Sequence, residues 1–155
     1  MSFVAIDIVD DLEFEVIKEV WNVYKIPQDD ATLKFKVVVT KILKTNKLDE
    51  LSGLNAYVTG YQNILSVKSS IKGQPSQKIP QTRDELEKYQ KHEVEYEELR
   101  TDWNQYKVFD TDYTVLYEIK PIITNVYRIN GVYDAIGYPY YVVTSQIISR
   151  VKKIE

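Results

Sequence analysis

Residues 13–26, EFEVIKEVWNVYKI, lie without a gap on residues 95–108, EYEELRTDWNQYKV, and this correspondence decides how the rest of the chain is read. Glu13/Glu95, Glu15/Glu97, Trp21/Trp103, Asn22/Asn104, Tyr24/Tyr106 and Lys25/Lys107 are identical, six of 14 positions. Working outward, residues 35–68 lie on 119–152, again without a gap, with ten of 34 positions identical: Lys36/Lys120, Thr40/Thr124, Asn46/Asn130, Gly53/Gly137, Tyr57/Tyr141, Val58/Val142, Gln62/Gln146, Ile64/Ile148, Val67/Val151 and Lys68/Lys152. Composition alone would match about one position in fifteen. The offset is 82 in the first segment and 84 in the second, so the second copy carries two extra residues where Ile26–Leu33 faces Val108–Tyr117. Insertions belong in loops. The reading is a tandem duplication within a single domain, 1–155: repeat one at about 11–70, a linker with a short helix at 71–92, and repeat two at about 93–155.

Each repeat reads as three antiparallel strands. The first, near 13–26 and 95–108, mixes β-branched and aromatic residues with charges and ends in an Asp-rich turn, PQDDAT or DTDYT. The second, near 32–45 and 114–129, centres on Val37-Val38-Val39 and Pro121-Ile122-Ile123, and its unbroken apolar run predicts burial of both faces. Pro121 has no amide hydrogen and requires an edge, a bulge or a barrel seam. Loops at 46–54 and 130–138 carry Gly53 and Gly137 at one shared place, a position suited to positive φ. The third strand, near 55–68 and 139–152, has inconsistent apolar parity, which calls for covered faces or a bulge. Strands this long favour strong twisting. The fold class is therefore mainly β, two pseudo-symmetric three-stranded repeats forming one barrel or sandwich. Between the repeats, SSIKGQPSQKIPQ at 69–81 is irregular, and Thr82 with Glu85 fits a capping box opening a short helix at about 83–91. Residues 3–9 read as an extra strand.

The pattern VVVTKILKTNKLDELSGLNAYVTGYQNILSV, repeated as PIITNVYRINGVYDAIGYPYYVVTSQIISRV, resembles that of small uncharacterised archaeal β-rich proteins with an internal tandem repeat. The resemblance covers most of the chain and implies no activity, ligand or catalytic residue.

Composition narrows the function classes. A net charge of −3 has the wrong sign for a protein that neutralises phosphates, which argues against nucleic acid as the main partner. No Cys is present and His92 is the single His, so disulfides, a thiolate nucleophile and a Cys- or His-based metal cage are excluded. No catalytic residues, cofactor or metal are assigned. Residues 3–6 are too short an apolar run for an export signal, and 135–149 is too short to span a membrane, which sets cytoplasmic as the expected location. Lack of Cys with abundant Lys, Glu, Ile and Tyr leans towards a thermophile.

Four constellations carry candidate roles. Trp21 and Trp103, each in a WN-x-YK motif, offer either two stacking platforms beside Lys25 and Lys107 or two core anchors with Asn satisfying a strand end. Tyr133, Tyr138 and Tyr140 crowd the second-copy loop, where the first copy has Asp49, Leu54 and Ala56. A role present in one copy only points to binding, and Tyr suits interfaces. Glu13/Glu15 and Glu95/Glu97, with Asp110 and Asp112, are the carboxylates available to acid–base or metal chemistry. Arg128, Arg150, Lys152 and Lys153 are positioned to form a basic strip, and His92 is expected near a helix end among acidic residues. The resulting expectation is a non-catalytic binding or protein-interaction module, partnered by another protein or by itself. The alternatives are a small carboxylate-using enzyme and single-strand nucleic-acid binding on the Trp and Tyr rings.

Overall fold

The computed structural model describes residues 7–154. Nine strands, one 3₁₀ turn and one α-helical turn follow in chain order: β1 (Ile8–Lys18), β2 (Asn22–Ile26), the 3₁₀ turn (Pro27–Asp29), β3 (Ala31–Leu48), β4 (Asn55–Ser69), α1 (Arg83–Glu87), β5 (Lys91–Val94), β6 (Glu97–Arg100), β7 (Asn104–Phe109), β8 (Thr114–Tyr133) and β9 (Pro139–Lys153). Residues 3–6 of the expected N-terminal strand lie outside the described residues. The α1 turn is shorter than the expected helix. Thr82 caps it, its Oγ1 accepting the Glu85 amide hydrogen, while Glu85 Oε2 accepts from Gln81.

The first strand of each repeat is not continuous. β1 breaks from β2 at 19–21, and β6 breaks from β7 at 101–103, because the two pieces serve different neighbours. The start of β1 pairs with the end of β3 (Leu12 with Ile42), and the rest crosses to β7 (Glu15 with Lys107). Likewise β5 pairs with the end of β8 (Val94 with Val126), and β6 crosses to β2 (Glu97 with Lys25). Each half thus lends the other a strand piece, with Glu opposite Lys at both exchanges, a favourable cross-strand pair.

The long hairpins share one register. Ala31 faces Ser69 and Val115 faces Lys153, while Lys44 faces Tyr57 and Arg128 faces Tyr141. Both second strands slip by one residue at the same place, between Val39 and Lys41 and between Ile123 and Asn125. A side-chain period of two makes that bulge switch the buried set from Phe35, Val37 and Val39 to Ile42, and from Ile119 and Ile123 to Val126. The bulge does not account for the parity of the third strand, because its extra residue is Thr40 or Thr124 of the second strand; along β4, Tyr57 and Val67 face the core while Val58 and Ile64 stay exposed on the other face. The bulge sits in an alternating pattern: Val38 and Ile122 are half-buried, so the second strands have one fully buried face rather than two.

The pairing path β5-β8-β7-β1-β3-β2-β6 is open, with β4 attached to β3 and β9 to β8, and no pairing among the described residues closes it. The expected barrel is corrected to an open, branched antiparallel sheet of nine strands. β3 and β8 are each paired along one side by a full-length hairpin partner and along the other by two short strands, which leaves the outer edges of β4 and β9 without a neighbour among the described residues. Pro121 lies in the gap of β8 between its β7-paired and β5-paired stretches, where no amide is required. One cluster of buried residues spans both halves, including Leu33, Phe35, Val37, Tyr106, Ile119 and Val126.

Candidate functional site

The sharpest polar feature joins residues that the repeat alignment left apart. Asp29, in the 3₁₀ turn Pro27–Asp29 between β2 and β3, receives Arg128 Nη1 at 2.8 Å and the Tyr141 hydroxyl. Asp110, after β7, receives Lys44 Nζ at 2.7 Å and the Tyr57 hydroxyl at 2.9 Å. Lys44/Arg128 and Tyr57/Tyr141 are aligned pairs, so each carboxylate takes its cation and its phenol from the opposite half. Both Asp side chains are almost fully buried. Burial, then the carboxylate hydrogen bond, raises the pKa of Tyr57 and of Tyr141, and both phenols remain donors. Burial pushes Asp110 up, but Lys44, the Thr111 amide and Tyr57 outweigh it and hold the carboxyl below its ordinary range. These acids are consumed in pairing, which accounts for why Asp110 does not stand free for catalysis. The identity Tyr57/Tyr141 and the conserved charge at 44 and 128 were the available signals, but the acceptors lie in the loops where the alignment carries its insertion.

The repeated Asn residues link the halves in the same reciprocal way. Asn22 Oδ1 accepts the Asp102 amide hydrogen at 3.0 Å and Asn104 Oδ1 accepts that of Val20 at 3.0 Å, so each satisfies the strand break of the other repeat. Trp21 and Trp103 are half-buried, neither core anchors nor free platforms. Their cations are not Lys25 and Lys107: Lys36 Nζ lies 5.5 Å from the Trp21 ring centre and the Arg150 guanidinium 4.0 Å from that of Trp103. Lys25 instead pairs with Asp30. The stacked Arg150 also binds Glu118 at 2.8 Å, and Gln105 completes that carboxylate. With Arg128 on Asp29 and Arg150 on Glu118, the expected basic strip is divided between two ion pairs.

The Tyr-rich loop is held by the chain's own linker. Tyr133, Tyr138 and Tyr140 are all half-buried. Gly73 donates its amide to Gly137 O at 2.8 Å, Ser76 N to Tyr133 O at 3.1 Å, and Tyr133 N returns to Ser76 Oγ at 3.0 Å. Lys72 stands over the Tyr138 ring, and a Cβ on Gly73 would lie 2.4 Å from the Tyr133 ring. In the first copy, the aligned Gly53 has no atom within 4 Å of where its Cβ would be.

Glu13 and Glu15 are exposed on β1, Glu15 opposite Lys107 of β7, while Glu95 and Glu97 line an open hollow of about 530 Å³ with Glu93 and Tyr96. Among the described residues no group of three or more His, Cys, Asp or Glu is placed to hold a metal ion. His92 lies in β5, not at a helix end, and bridges Gln28 and Asn130. No helix among the described residues is long and apolar enough to cross a membrane.

An uncovered apolar row lies on β4. The core-side row of this strand continues outward from Phe35, Val37 and Val39 on β3 to their partners Leu65, Asn63 and Tyr61. There Tyr61 is 45% and Leu65 37% exposed, and on the opposite face Val58 and Ile64 are exposed as well. No charged residue occurs from Asn55 to Val67. On β9 the aligned positions of Tyr61 and Leu65 are Ser145 and Ser149, while Val143, Ile147 and Val151 pack against the core. Comparison with protein families, with curated proteins and with solved structures finds no match.

Proposed function

We propose that this protein is a non-catalytic interaction module built by tandem duplication, with β4 as its association surface. The observation that carries the reading is the uncovered core-side row of Tyr61 and Leu65 on a strand without charge from Asn55 to Val67, whose outer edge has no neighbour among the described residues. Edge strands that stay single are guarded by charge, Pro or cover, and between Asn55 and Val67 β4 has no charge or Pro and no cover among the described residues. Apolar side chains grouped at such an edge mark a surface that buries itself on a partner. The duplication is supported by the shared hairpin register, the shared bulge and the reciprocal strand exchange. Within that scheme the two copies diverged at the outer strand, where Tyr61 and Leu65 face Ser145 and Ser149.

The test immobilises the full-length chain and offers it both a native cell extract and the purified chain itself. Binding lost in Leu65→Lys and kept in the triple Ser variant of Tyr133, Tyr138 and Tyr140 supports β4 as the surface. A specific partner retained undiminished by Leu65→Lys, or none retained from either source, overturns the reading.

A further inference from the structure

We infer that the occupant of the β4 edge is the β4 strand of a second copy of this chain, paired antiparallel about Asn63. This rests on the interaction reading above and names its partner. Charge selects the partner first. From Asn55 to Val67 there is no carboxylate or cation with which to recognise a charged segment, and a strand of like character and equal length is β4 itself. Its pseudo-equivalent β9 ends in Arg150, Lys152 and Lys153, and β4 offers those cations no carboxylate.

Register selects the axis. With Asn63 opposite Asn63 of the second copy, Tyr61 falls opposite Leu65 and Leu65 opposite Tyr61, so the exposed core-side apolar pair is matched twice by one rotation. The central amides hydrogen-bond each other, each supplying both donor and acceptor. On the other face Gln62 meets Ile64, Gly60 meets Ser66, and Val58 meets Lys68, so no like charges oppose. Asn63 is exposed between Tyr61 and Leu65, leaving its side chain free for this contact.

Symmetry then limits the assembly. A fold with two similar open edges is prone to head-to-tail growth, in which β4 of one molecule takes β9 of the next without closing. Because the apolar pair is present on β4 and replaced by Ser on β9, the self-matched contact uses up the one adhesive edge of each molecule and closes as a dimer.

The chain has no cysteine, so Asn63→Cys introduces a single thiol at the proposed axis. Residues directly opposite in an antiparallel pair have Cα atoms about 4.5–5.5 Å apart, within disulfide reach. Mild oxidation of full-length Asn63→Cys is expected to give nearly complete disulfide-linked dimer. Adding Leu65→Lys prevents the linkage, and Ile147→Cys at the aligned position of β9 stays unlinked. The unsubstituted chain sediments at twice its monomer mass, and Leu65→Lys returns it to the monomer mass. Dimeric wild type with no Asn63→Cys linkage overturns the pairing while the interaction reading stands. Linkage only in a mixture of Asn63→Cys with Ile147→Cys replaces the closed dimer with head-to-tail growth and overturns it too. A chain that sediments as monomer at every concentration overturns self-pairing, and retention of another protein through β4 then decides whether the broader reading survives.

Discussion

Asp110 and Asp29 hold the two halves together through single carboxylates that each satisfy a cation and a phenol from across the molecule. Among the described residues no buried side-chain polar atom lacks a partner, so removing one member leaves a charge or a dipole stranded. Asp110→Ala strands Lys44, whose side chain is only 15% exposed, and is expected to cost about 3–5 kcal/mol. Tyr57→Phe removes one hydrogen bond to a charged group and is expected to cost about 1.5–3 kcal/mol, with Tyr141→Phe similar. Urea unfolding with an unchanged slope checks both, and loss below about 0.5 kcal/mol for Tyr57→Phe would show that its bond to Asp110 is not formed in solution. Acid has a defined sign here. The folded pKa of Asp110 lies below that of an unfolded aspartate, about 3.9, so its contribution is complete above that value and is lost as pH falls through the folded pKa. Glu118, lowered by Arg150, acts in the same direction. The urea midpoint of the wild type therefore falls from about pH 6 to about pH 3 more steeply than that of Asp110→Asn, which keeps the contributions of Glu118 and of the exposed, ion-paired or hydrogen-bonded Asp30, Glu85 and Asp102. Equal slopes would remove Asp110 from the account. None of this was legible from the carboxylates as a list, because Asp29 and Asp110 gain their meaning from Arg128 and Lys44, far away in sequence.

The β3–β4 and β8–β9 hairpins were legible as strands, since β-branched runs and two aligned Gly residues bracket them, and Gly53 and Gly137 do have φ of +74° and +102°. The breaks at 19–21 and 101–103 were not. A strand that changes partners midway keeps the same local propensity on both sides of the change, so nothing local announces it. The Tyr-rich loop shows the complementary case: its asymmetry between copies was visible, but the linker it meets is a segment that occurs once in the chain. The two aligned Gly positions separate these effects. Alanine at either meets the strain of positive φ, about 1 kcal/mol. At Gly137 the added Cβ would also lie 2.5 Å from the Gly73 carbonyl oxygen, whereas at Gly53 it meets nothing within 4 Å. Gly137→Ala is thus expected to release the linker and to speed tryptic cleavage after Lys72 and Lys78 several-fold, with Gly53→Ala leaving that rate unchanged. Equal cleavage in the two variants would mean that the Gly73–Gly137 contact does not hold the linker.

Across the whole molecule, the exchange of strand pieces makes each half dependent on its twin. β1 reaches β7 with Glu15 opposite Lys107, and β6 reaches β2 with Glu97 opposite Lys25. Because Glu15/Glu97 and Lys25/Lys107 are aligned identities, a single half already contains both sides of the exchange. The same holds for the buried clusters, since Asp29, Lys44 and Tyr57 all belong to the first half and reproduce the Asp29–Arg128–Tyr141 and Asp110–Lys44–Tyr57 sets once a second copy is supplied. A unit of about 60 residues is marginal alone and gains a shared core by pairing. Residues 7–70, expressed without the rest, are accordingly expected to fold only as a dimer with β1 of each chain on β2 of the other. Their unfolding midpoint then rises with protein concentration, unlike that of an intramolecular fold. Lys25→Glu in this fragment places Glu opposite Glu15 at both exchanges and is expected to weaken the dimer, and adding Glu15→Lys to the same fragment to restore it. A folded, concentration-independent monomer of residues 7–70 would show that the first half closes on itself, and the reciprocal exchange would then be a consequence of linkage rather than a requirement of the unit.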